Sequence, residues 1–448
     1  MARAAVIAAG LLAGCNSIVG FDVSGGVDAS NPPVTLIVTT SGEGRGAVRS
    51  QPTGIACPPS CSDEVPQSTT VTLTATAGSG SRFGGWGSPC SGTGPCELTV
   101  DADMAIDARF DSNADGHNFV FVTKGEQTPA ALSSLSNADA ICAADAAASG
   151  LPGTYRAWLS TSTVAAKDRL GTARGWVRVD GRPVADSLAD LTAGKLLFPV
   201  RFQADGTQAV QDGAAHAVVV TGTSREGTMA STNCADWTSS TNMARTGNAN
   251  STGRIWTDWF DGDPQYCSSP FAFYCFGIDE TVPLTVMPSS GRLAFVTSNT
   301  WTPGGGVASA DAFCQGEANT AGRSGTFKAL VASTTASAAS RFDVNGAPWV
   351  RADAIPLAAP GTSPFAAIEA PLNVRIDGSY LDAGSVATGA TSPTALATTG
   401  TSCGDWTVSS AASKGIVGSA EDTVGWFTEF GPFLWECNNA RYLYCFEQ

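Results

Sequence analysis

Cys234-Ala-Asp-Trp-Thr238 recurs in this chain as Cys403-Gly-Asp-Trp-Thr407. After each pentapeptide come two cysteines with seven residues between them, and the second of these lies in the sequence Tyr-Cys-Phe. The pairs are Cys267 with Cys275 and Cys437 with Cys445. The first cysteine of each pair follows its pentapeptide cysteine by 33 residues in one copy and 34 in the other. Two cysteine frameworks that agree this closely indicate a duplicated domain.

The duplication extends upstream of the pentapeptides. Each copy has one further cysteine, Cys142 or Cys314, in an alanine-rich segment. The matched segments of the two copies are the strands Phe119–Thr123 and Leu293–Thr297, the helices Asn137–Ala148 and Ala308–Ala321, the stretches from Gly153 and from Gly325, and the Trp-Val-Arg sequences at Trp176 and Trp349. Each copy also ends on an apolar strand that holds its last cysteine. The pattern predicts an α+β fold in which one or two helices pack on a twisted antiparallel sheet, with a long irregular region between.

The cysteine count indicates an oxidising compartment. The chain has 13 cysteines, which leaves one to explain if the others pair. Without Cys15 they form three groups of four: Cys57, Cys61, Cys90 and Cys96; Cys142, Cys234, Cys267 and Cys275; Cys314, Cys403, Cys437 and Cys445. Even groups within separate segments favour disulfides formed outside the cytoplasm. Zinc is the competing use of four cysteines, but only Cys57 and Cys61 approach the spacing of a zinc knuckle.

The N-terminus predicts export and lipidation. Met1-Ala-Arg3 is a short basic start, and the apolar run Ala4–Ala13 is too short to span a bilayer. The sequence Leu12-Ala-Gly-Cys15 resembles the bacterial lipoprotein signal box. We therefore expect a signal peptide over residues 1–14 and a lipid anchor on Cys15, which places the protein in the cell envelope, at the outer membrane or cell surface of a Gram-negative bacterium. The alternative is an ordinary signal peptide followed by an unrelated cysteine.

The net charge of the chain limits the classes of molecule that it can bind. The formal net charge is −15 and the sequence pI is about 4.5. Nucleic acid is therefore excluded as a partner, because its phosphates require a basic face. Charged residues make up 15% of the chain, whereas glycine alone contributes 50 residues. This composition is typical of a secreted, loop-rich protein.

A small all-β module precedes the duplication. Residues 15–33 are expected to hold the lipidated cysteine and a flexible tether, and residues 34–110 alternate apolar and polar residues with glycine-rich turns. The run from Gly46 through Phe83-Gly-Gly-Trp86 and the four local cysteines to Phe110 resembles the divergent internalin-type B-repeat, a β-grasp-like module of bacterial surface proteins. The resemblance implies a spacer or a weak contact surface.

The segments around the two copies are short. Residues 111–116, Asp-Ser-Asn-Ala-Asp-Gly, place oxygen ligands at positions one, three and five and a glycine at six, as in a calcium loop. Position twelve would be Val122 instead of an acid, so an acidic linker is favoured. The first copy is predicted to span residues 117–278 and the second 291–448, with a linker over 279–290.

Each copy resembles the C-type lectin-like fold in the variant found in endostatin and in bacterial lipoproteins. The resemblance rests on the helix cysteine, on Gly153-Thr-x-Arg-Ala-x-Leu-Ser160, on Leu196-Leu-Phe-Pro199, on Cys234-x-x-Trp237 and on the terminal cysteine pair. In that fold the first and last cysteines pair, and so do the inner two. The resemblance thus implies four disulfides: Cys142–Cys275, Cys234–Cys267, Cys314–Cys445 and Cys403–Cys437.

The residues that bind metal ions in that family are mostly missing from this sequence. Its calcium-dependent members use a Glu-Pro-Asn loop and a Trp-Asn-Asp strand, and the nearest match is Trp256-Thr-Asp258. The zinc of endostatin depends on histidines, and this chain has only His117 and His216. We expect no cofactor, with calcium left as a possibility.

One local constellation suggests a ligand site. The predicted ligand-binding residues of the first copy are Trp256, Asp258, Trp259, Asp261 and Asp263, with Tyr266 beside them. Aromatic faces beside carboxylates suit sugar rings, basic peptides or a cation. The second copy replaces them with Trp426, Glu429, Phe430, Phe433, Trp435 and Glu436. In the alternative interpretation the tryptophans fill the core and the acids are solvated. Asp236 and Asp405, inside the repeated pentapeptides, are expected to be structural, bonding nearby backbone amides.

The chain lacks the metalloprotease motif His-Glu-x-x-His and a phosphate loop, and with only two histidines a Ser-His-Asp triad has few ways to be built. We therefore expect a non-enzymatic, surface-anchored lipoprotein that binds a glycan or an extracellular protein, or mediates adhesion, through tandem lectin-like domains. Two alternatives remain. One is a structural envelope protein without a specific soluble ligand, and the other is a glycan hydrolase that uses Asp258 and Asp263.

Overall fold

The computed structural model describes residues 32–42, 44–78, 80–209, 217–259, 265–429 and 434–448. These residues separate into two compact bodies. The N-terminal body contains the described residues up to Thr39 together with Val48–Thr74 and Trp86–Asp107, and the C-terminal body contains those of Thr40–Ala47, Ala75–Gly85 and Ala108–Gln448. Within the described ranges, no helix has the length and apolar character needed to cross a membrane.

The described residues of the N-terminal module form β-strands and the turns between them, as predicted. Its strands are β1 (Pro33–Ser41), β2 (Gly46–Gln51), β3 (Ala56–Cys57), β4 (Ser62–Pro66), β5 (Thr69–Ala77), β6 (Ser81–Trp86), β7 (Cys96–Val100) and β8 (Met104–Ser112). In the N-terminal body β1 pairs antiparallel with β4, β2 with β3, and β5 with β7. Two short disulfides, Cys57–Cys61 and Cys90–Cys96, close loops of this body. Small bodies of this kind bury little apolar surface, so such cross-links stabilise them.

The first repeat, residues 117–278, has a central sheet. Its elements are β9 (Asn118–Val122), α1 (Pro129–Leu132), α2 (Leu135–Ser149), β10 (Tyr155–Ala157), β11 (Trp176–Arg178), β12 (Pro183–Ala185), α3 (Leu188–Thr192), β13 (Val218–Val220), the single left-handed turn α4 (Cys234–Trp237), β14 (Met243–Ala244), β15 (Thr246–Asn248), β16 (Gln265–Tyr266) and β17 (Tyr274–Gly277). The sheet has the strand order β10-β17-β9-β11-β12. Two small pairs, β13 with β15 and β14 with β16, lie outside it.

The second repeat, residues 291–448, has the same plan. Its elements are β18 (Arg292–Val296), α5 (Gly306–Thr320), β19 (Phe327–Ala329), β20 (Trp349–Val350), β21 (Ser385–Ala387), β22 (Lys414–Ser419), β23 (Leu434–Glu436) and β24 (Tyr444–Glu447). The main sheet has the order β19-β24-β18-β20, and β21, β22 and β23 form a second sheet. The α+β class expected for both copies is confirmed.

The prediction of a twisted antiparallel sheet is wrong in one respect. β11 runs parallel to β9, and β20 runs parallel to β18. More than fifty residues separate β9 from β11, including α2. A connection of this length lets the chain cross over and return in the same direction, which a hairpin cannot do. The sheets are therefore mixed.

Alternation along β9 places the sheet between two cores. Phe119 and Phe121 face a cluster that contains Cys142 of α2, whereas Val120 and Val122 face a cluster that contains Trp158. β18 repeats this pattern, since Phe295 packs with Cys314 of α5 and Val296 packs on the opposite side. Side chains of a strand alternate between faces, so a continuous apolar run marks a strand covered on both sides.

Each repeat is cross-linked internally by two disulfides. The four bridges are Cys142–Cys275, Cys234–Cys267, Cys314–Cys445 and Cys403–Cys437, the same partners that the family resemblance implies. The first and third join the long helix of each repeat to its last strand. They close loops of 133 and 131 residues. A disulfide that closes a longer loop restricts the unfolded chain more strongly. Each of these two bridges is therefore expected to add about 2–5 kcal/mol to the free energy of unfolding.

The two repeats contact each other through equivalent segments. Trp256 and Trp426 both precede an inner disulfide cysteine by eleven residues, so residues 250–253 correspond to 420–423. Ser251 bridges antiparallel to Asp422, Thr252 N donates to Glu421 O at 2.8 Å, and Thr423 N donates to Asn250 O at 3.1 Å. Each segment thus pairs with its own counterpart in antiparallel register. This is the arrangement of an approximate two-fold axis, as in the isologous interface of a homodimer.

A second pair of equivalent segments meets at the same interface. Leu196-Leu-Phe-Pro199 corresponds to Ile368-Glu-Ala-Pro371, and Phe198 packs against Ala370 and Ile355. Glu369 binds Arg201 at 2.7 Å and Arg178 at 3.4 Å. Both arginines belong to the first repeat and are almost fully buried, so a carboxylate of the second repeat helps to balance buried cations of the first.

The linker 279–290 is bonded to both repeats. Asn118 accepts the backbone N–H groups of Asp279 and Glu280, and Asp186 accepts that of Leu284. Ser289 N donates to Ala354 O of the second repeat at 3.0 Å. These bonds fix the path of the linker between the repeats.

Candidate ligand-binding site

The predicted site begins with Trp256, which the structure places in the core. Its side chain is 1% exposed and packs with Trp158, Tyr274 and Phe276. The indole N–H donates to Leu191 O at 3.3 Å, and the Tyr274 hydroxyl donates to Trp256 O at 2.7 Å. Burial raises the pKa of Tyr274 well above its ordinary value, so this hydroxyl remains a donor. Trp256 therefore follows the alternative interpretation and cannot offer its ring to a ligand.

Asp258 is tied to the protein by a basic side chain. Its Oδ1 lies 3.1 Å from Arg245 Nε, and both side chains are less than a fifth exposed. Its Oδ2 accepts Arg225 N at 3.3 Å. Trp259, next in the chain, is partly buried, and its backbone N–H donates to Thr246 O. An acid held this way neutralises a buried cation, which is a structural role.

Of the remaining residues of the predicted site, the structure describes only Tyr266. Asp261 and Asp263 lie outside the described residues. Tyr266 follows them on β16, which pairs with Met243–Ala244, and its side chain is 60% exposed. Large aromatic side chains gain free energy by burial, so an exposed tyrosine next to a predicted ligand loop is available for stacking on a sugar ring or an apolar side chain.

The second repeat differs at the matching positions. Trp426 and Trp435 are 5% and 2% exposed, and Tyr444 donates to Trp426 O as Tyr274 does to Trp256 O. Glu429 accepts a bond from Ser385, and Glu436 pairs with Lys414 at 3.2 Å. Phe430 and Phe433 lie outside the described residues. The exposed apolar side chain here is Leu434 on β23, which is 45% exposed.

The repeated pentapeptide forms a left-handed turn. All four residues from Cys234 to Trp237 have positive φ, between 48° and 68°, and so do the four from Cys403 to Trp406, between 51° and 69°. Each non-glycine residue in this conformation costs about 1–2 kcal/mol. A run of four is unusual, and the sequence motif recurs because the same strained turn recurs.

The aspartate of each turn offsets part of that cost, as expected. Asp236 accepts hydrogen bonds from Ser162 N at 2.7 Å and Ser162 Oγ at 2.5 Å. Asp405 accepts from Thr334 N at 2.8 Å and Thr334 Oγ1 at 2.5 Å. The Ser162 hydroxyl is the largest cause of a lowered pKa at Asp236; at Asp405 burial opposes ionisation, but the bonds from Thr334 outweigh it and lower its pKa too. Both carboxylates serve the fold.

A buried ion pair in each repeat was not anticipated. Arg178 and Arg351 are almost fully buried and bind the aspartates two residues later, Asp180 and Asp353. Tyr380 OH also donates to Asp353 at 2.7 Å. The sequence pattern that could have indicated this ion pair is Trp-Val-Arg-x-Asp, which occurs in both copies. Burial would raise the pKa of Asp353, but the guanidinium of Arg351 outweighs it and lowers that pKa.

The segment 111–116 has no sign of a calcium loop. Asp115 pairs with Arg82 at 3.0 Å, and Asn113 Nδ2 donates to Val179 O at 3.0 Å. The ring nitrogens of His117 lie 2.9 Å from Ala114 O and 3.2 Å from Pro283 O, and His216 is outside the described residues. Across the described ranges, no group of three or more His, Cys, Asp or Glu side chains could hold a metal ion.

Comparison with known proteins covers the N-terminal module. The family model described as divergent InlB B-repeat domain matches residues 37–114. No curated protein matches the chain. The expected B-repeat is thus confirmed, with bounds a few residues later than the predicted 34–110.

Proposed function

We propose that this protein is a non-enzymatic lipoprotein of the cell envelope that binds a ligand or mediates adhesion through tandem lectin-like domains. The anchor would be the acylated Cys15, on the outer membrane or cell surface of a Gram-negative bacterium. The B-repeat would then act as a spacer between the membrane and the two repeats. The ligand would be a glycan or an extracellular protein.

The observation that carries this proposal is the exposure of Tyr266. This side chain is 60% exposed on β16, a few residues after the predicted ligand acids in the sequence, whereas the tryptophans of the same region are buried or partly buried. The Cys234–Cys267 disulfide and the partly buried ion pair of Arg245 with Asp258 fix the scaffold around it. A rigid scaffold that presents an aromatic side chain lowers the entropy cost of binding.

The structural alternative also has support. Trp256 and Trp426 belong to the cores, and Asp258 is paired with Arg245, so three of the residues that suggested a ligand stabilise the fold instead. A protein whose repeats only pack against envelope neighbours would need no more. The hydrolase alternative loses support for the same reason, because a carboxylate paired with an arginine is a poor general acid.

Binding of the full chain, kept in detergent, to glycan and matrix-protein arrays tests the proposal. We expect at least one ligand at micromolar protein concentration. No binding would favour the structural alternative, and turnover of a glycan that Asp258→Asn or Asp263→Asn abolishes would favour the hydrolase. The anchor has its own test: Cys15→Ser should move the protein from the membrane fraction to the soluble fraction, and unchanged partitioning would contradict lipidation.

A further inference from the structure

A surface cavity of about 660 Å³ lies beside α5 in the second repeat. Its lining residues include Phe313 and Ile376, which give an apolar floor, and Glu317 and Asp377, which give two carboxylates. Ser298 lines the rim and is exposed. The duplication of the chain supplies a natural comparison for this cavity.

The first repeat has the same backbone framework at the corresponding place. Lys124 N donates to Asp145 at 2.8 Å, as Ser298 N donates to Glu317 at 2.7 Å. Thr207 donates through its amide and hydroxyl to Asp205, as Ser379 does to Asp377, with distances that agree within 0.1 Å: 3.0 and 2.6 Å against 2.9 and 2.6 Å. Ser298 thus stands where the first repeat has Lys124, and Asp377 stands where it has Asp205.

The two repeats differ in the cation that faces this aspartate. In the first repeat, Lys124 Nζ lies 2.7 Å from Asp205 Oδ2, and the Asp205 side chain is 26% exposed beneath it. The second repeat has a serine instead, Asp377 is exposed, and no ion pair joins it to a basic side chain within the described residues. The charge of Arg375 helps to lower the pKa of Asp377, but the guanidinium donates to Ser379 Oγ and Tyr380 O.

Both aspartates are poised as anions. Burial opposes ionisation of Asp205, but hydrogen bonds from Lys124 and Thr207 outweigh it and lower its pKa to about 2. The Ser379 hydroxyl is the largest cause of a lowered pKa at Asp377. The second repeat therefore keeps a charged acceptor where the first repeat uses one to hold its own lysine.

We propose that this cavity binds a lysine side chain of a protein partner, in the position that Lys124 occupies in the first repeat. The ammonium group would pair with Asp377, and the methylene stem would cover Phe313 and Ile376. Glu317 contributes negative potential, although its oxygens already accept Ser298 N and Asn299 N. This inference goes beyond the proposed function, because it concerns the second repeat and does not depend on Tyr266.

Saturation-transfer NMR on the full chain tests the proposal with a blocked Gly-Gly-Lys-Gly-Gly peptide. We expect signal transfer to the lysine methylenes with a dissociation constant on the order of 1 mM, since one exposed ion pair contributes little. The same peptide with acetyl-lysine should show several-fold weaker transfer. Ser298→Lys should abolish binding, because it supplies an internal lysine to the cavity.

A charge control separates the site from the general acidity of the protein. Asp377→Asn should weaken binding several-fold, whereas Asp343→Asn, the same charge change elsewhere on the second repeat, should leave it unchanged. Equal transfer to the lysine and acetyl-lysine peptides would overturn the proposal. So would full binding by Ser298→Lys or equal losses in the two aspartate variants.

Discussion

Asp422 of the second repeat accepts two buried hydrogen bonds from the first repeat, one from Ser251 Oγ and one from Asn248 Nδ2, each at 2.7 Å. Its other oxygen accepts the amides of Val424 and Gly425 within its own repeat. Asp422 is 0% exposed. A buried carboxylate with both oxygens bonded is stabilising, whereas the same group with a lost partner is costly. Asp422 therefore holds the two repeats together.

Ser251→Ala tests this contact. It removes one donor and leaves Asp422 short of a partner, so we expect the free energy of unfolding to fall by about 1–3 kcal/mol. Chemical denaturation measures the change. Ser392→Ala, which removes an exposed hydrogen bond to Thr394, should shift the midpoint far less. Equal shifts in the two variants would contradict a role for Ser251 at the interface.

Glu421, beside Asp422, predicts a dependence of stability on pH. Burial, and then the nearby charges of Asp382, Asp422 and Glu429, raise its pKa well above the ordinary value of 4.5, although Arg254 opposes this. The folded protein keeps the proton at a pH where the unfolded chain has released it. The contribution of Glu421 to stability is thus most favourable below pH 4.5 and is progressively lost as the pH rises toward the raised pKa.

Glu421→Gln isolates that contribution, because the amide cannot ionise. We expect the variant to be less sensitive to rising pH than the native protein, and more stable than it at neutral pH. Unfolding at several pH values measures the difference, and the exposed Glu126→Gln is the control. Parallel pH profiles for the native protein and Glu421→Gln would show that Glu421 does not stay protonated in the fold.

The left-handed turns predict opposite effects at one equivalent position. Ala235 has φ +48° in the first repeat, and glycine already occupies that position as Gly404, with φ +60°. Ala235→Gly should stabilise by up to about 1 kcal/mol, because glycine enters this conformation without strain, even though its unfolded state is more flexible.

The reverse change should be harmful. A Cβ at Gly404 would lie 2.9 Å from Val408 Cγ2, so Gly404→Ala should destabilise by about 1–2 kcal/mol. Thermal unfolding with the disulfides intact measures both variants. A loss of stability in Ala235→Gly, or none in Gly404→Ala, would mean that the turn is not strained at this position.

Much of the fold could be predicted from the spacing of the cysteines and of the apolar segments. Matched cysteines and matched apolar strands predicted two related α+β repeats, and the long helix of each repeat begins and ends within two residues of its predicted bounds. The helix α2 begins at Leu135 because Ser134 accepts Asn137 N, and it ends at Ser149 because the next residue, Gly150, adopts a left-handed conformation. Capping residues of this kind are local, so the sequence contains them.

The sequence did not predict which aromatic side chains face the core, or which polar residues pair over long distances. Trp256 and Tyr266 are ten residues apart and both aromatic, yet one is buried and the other exposed, because only the folded chain decides which faces the core. The contact between Ser251 and Asp422 joins residues 171 positions apart through polar side chains that carry no periodic pattern. Long-range polar pairing of this kind leaves no signal in one sequence.

The affinity of the array ligand for the native chain and for Tyr266→Ala tests the central claim most directly. We expect Tyr266→Ala to weaken binding at least tenfold with no change in melting temperature, since the side chain is exposed and outside the core. Leu434→Ala, at the corresponding surface of the second repeat, should bind as the native protein does. An unchanged affinity in Tyr266→Ala would contradict the account of the ligand site.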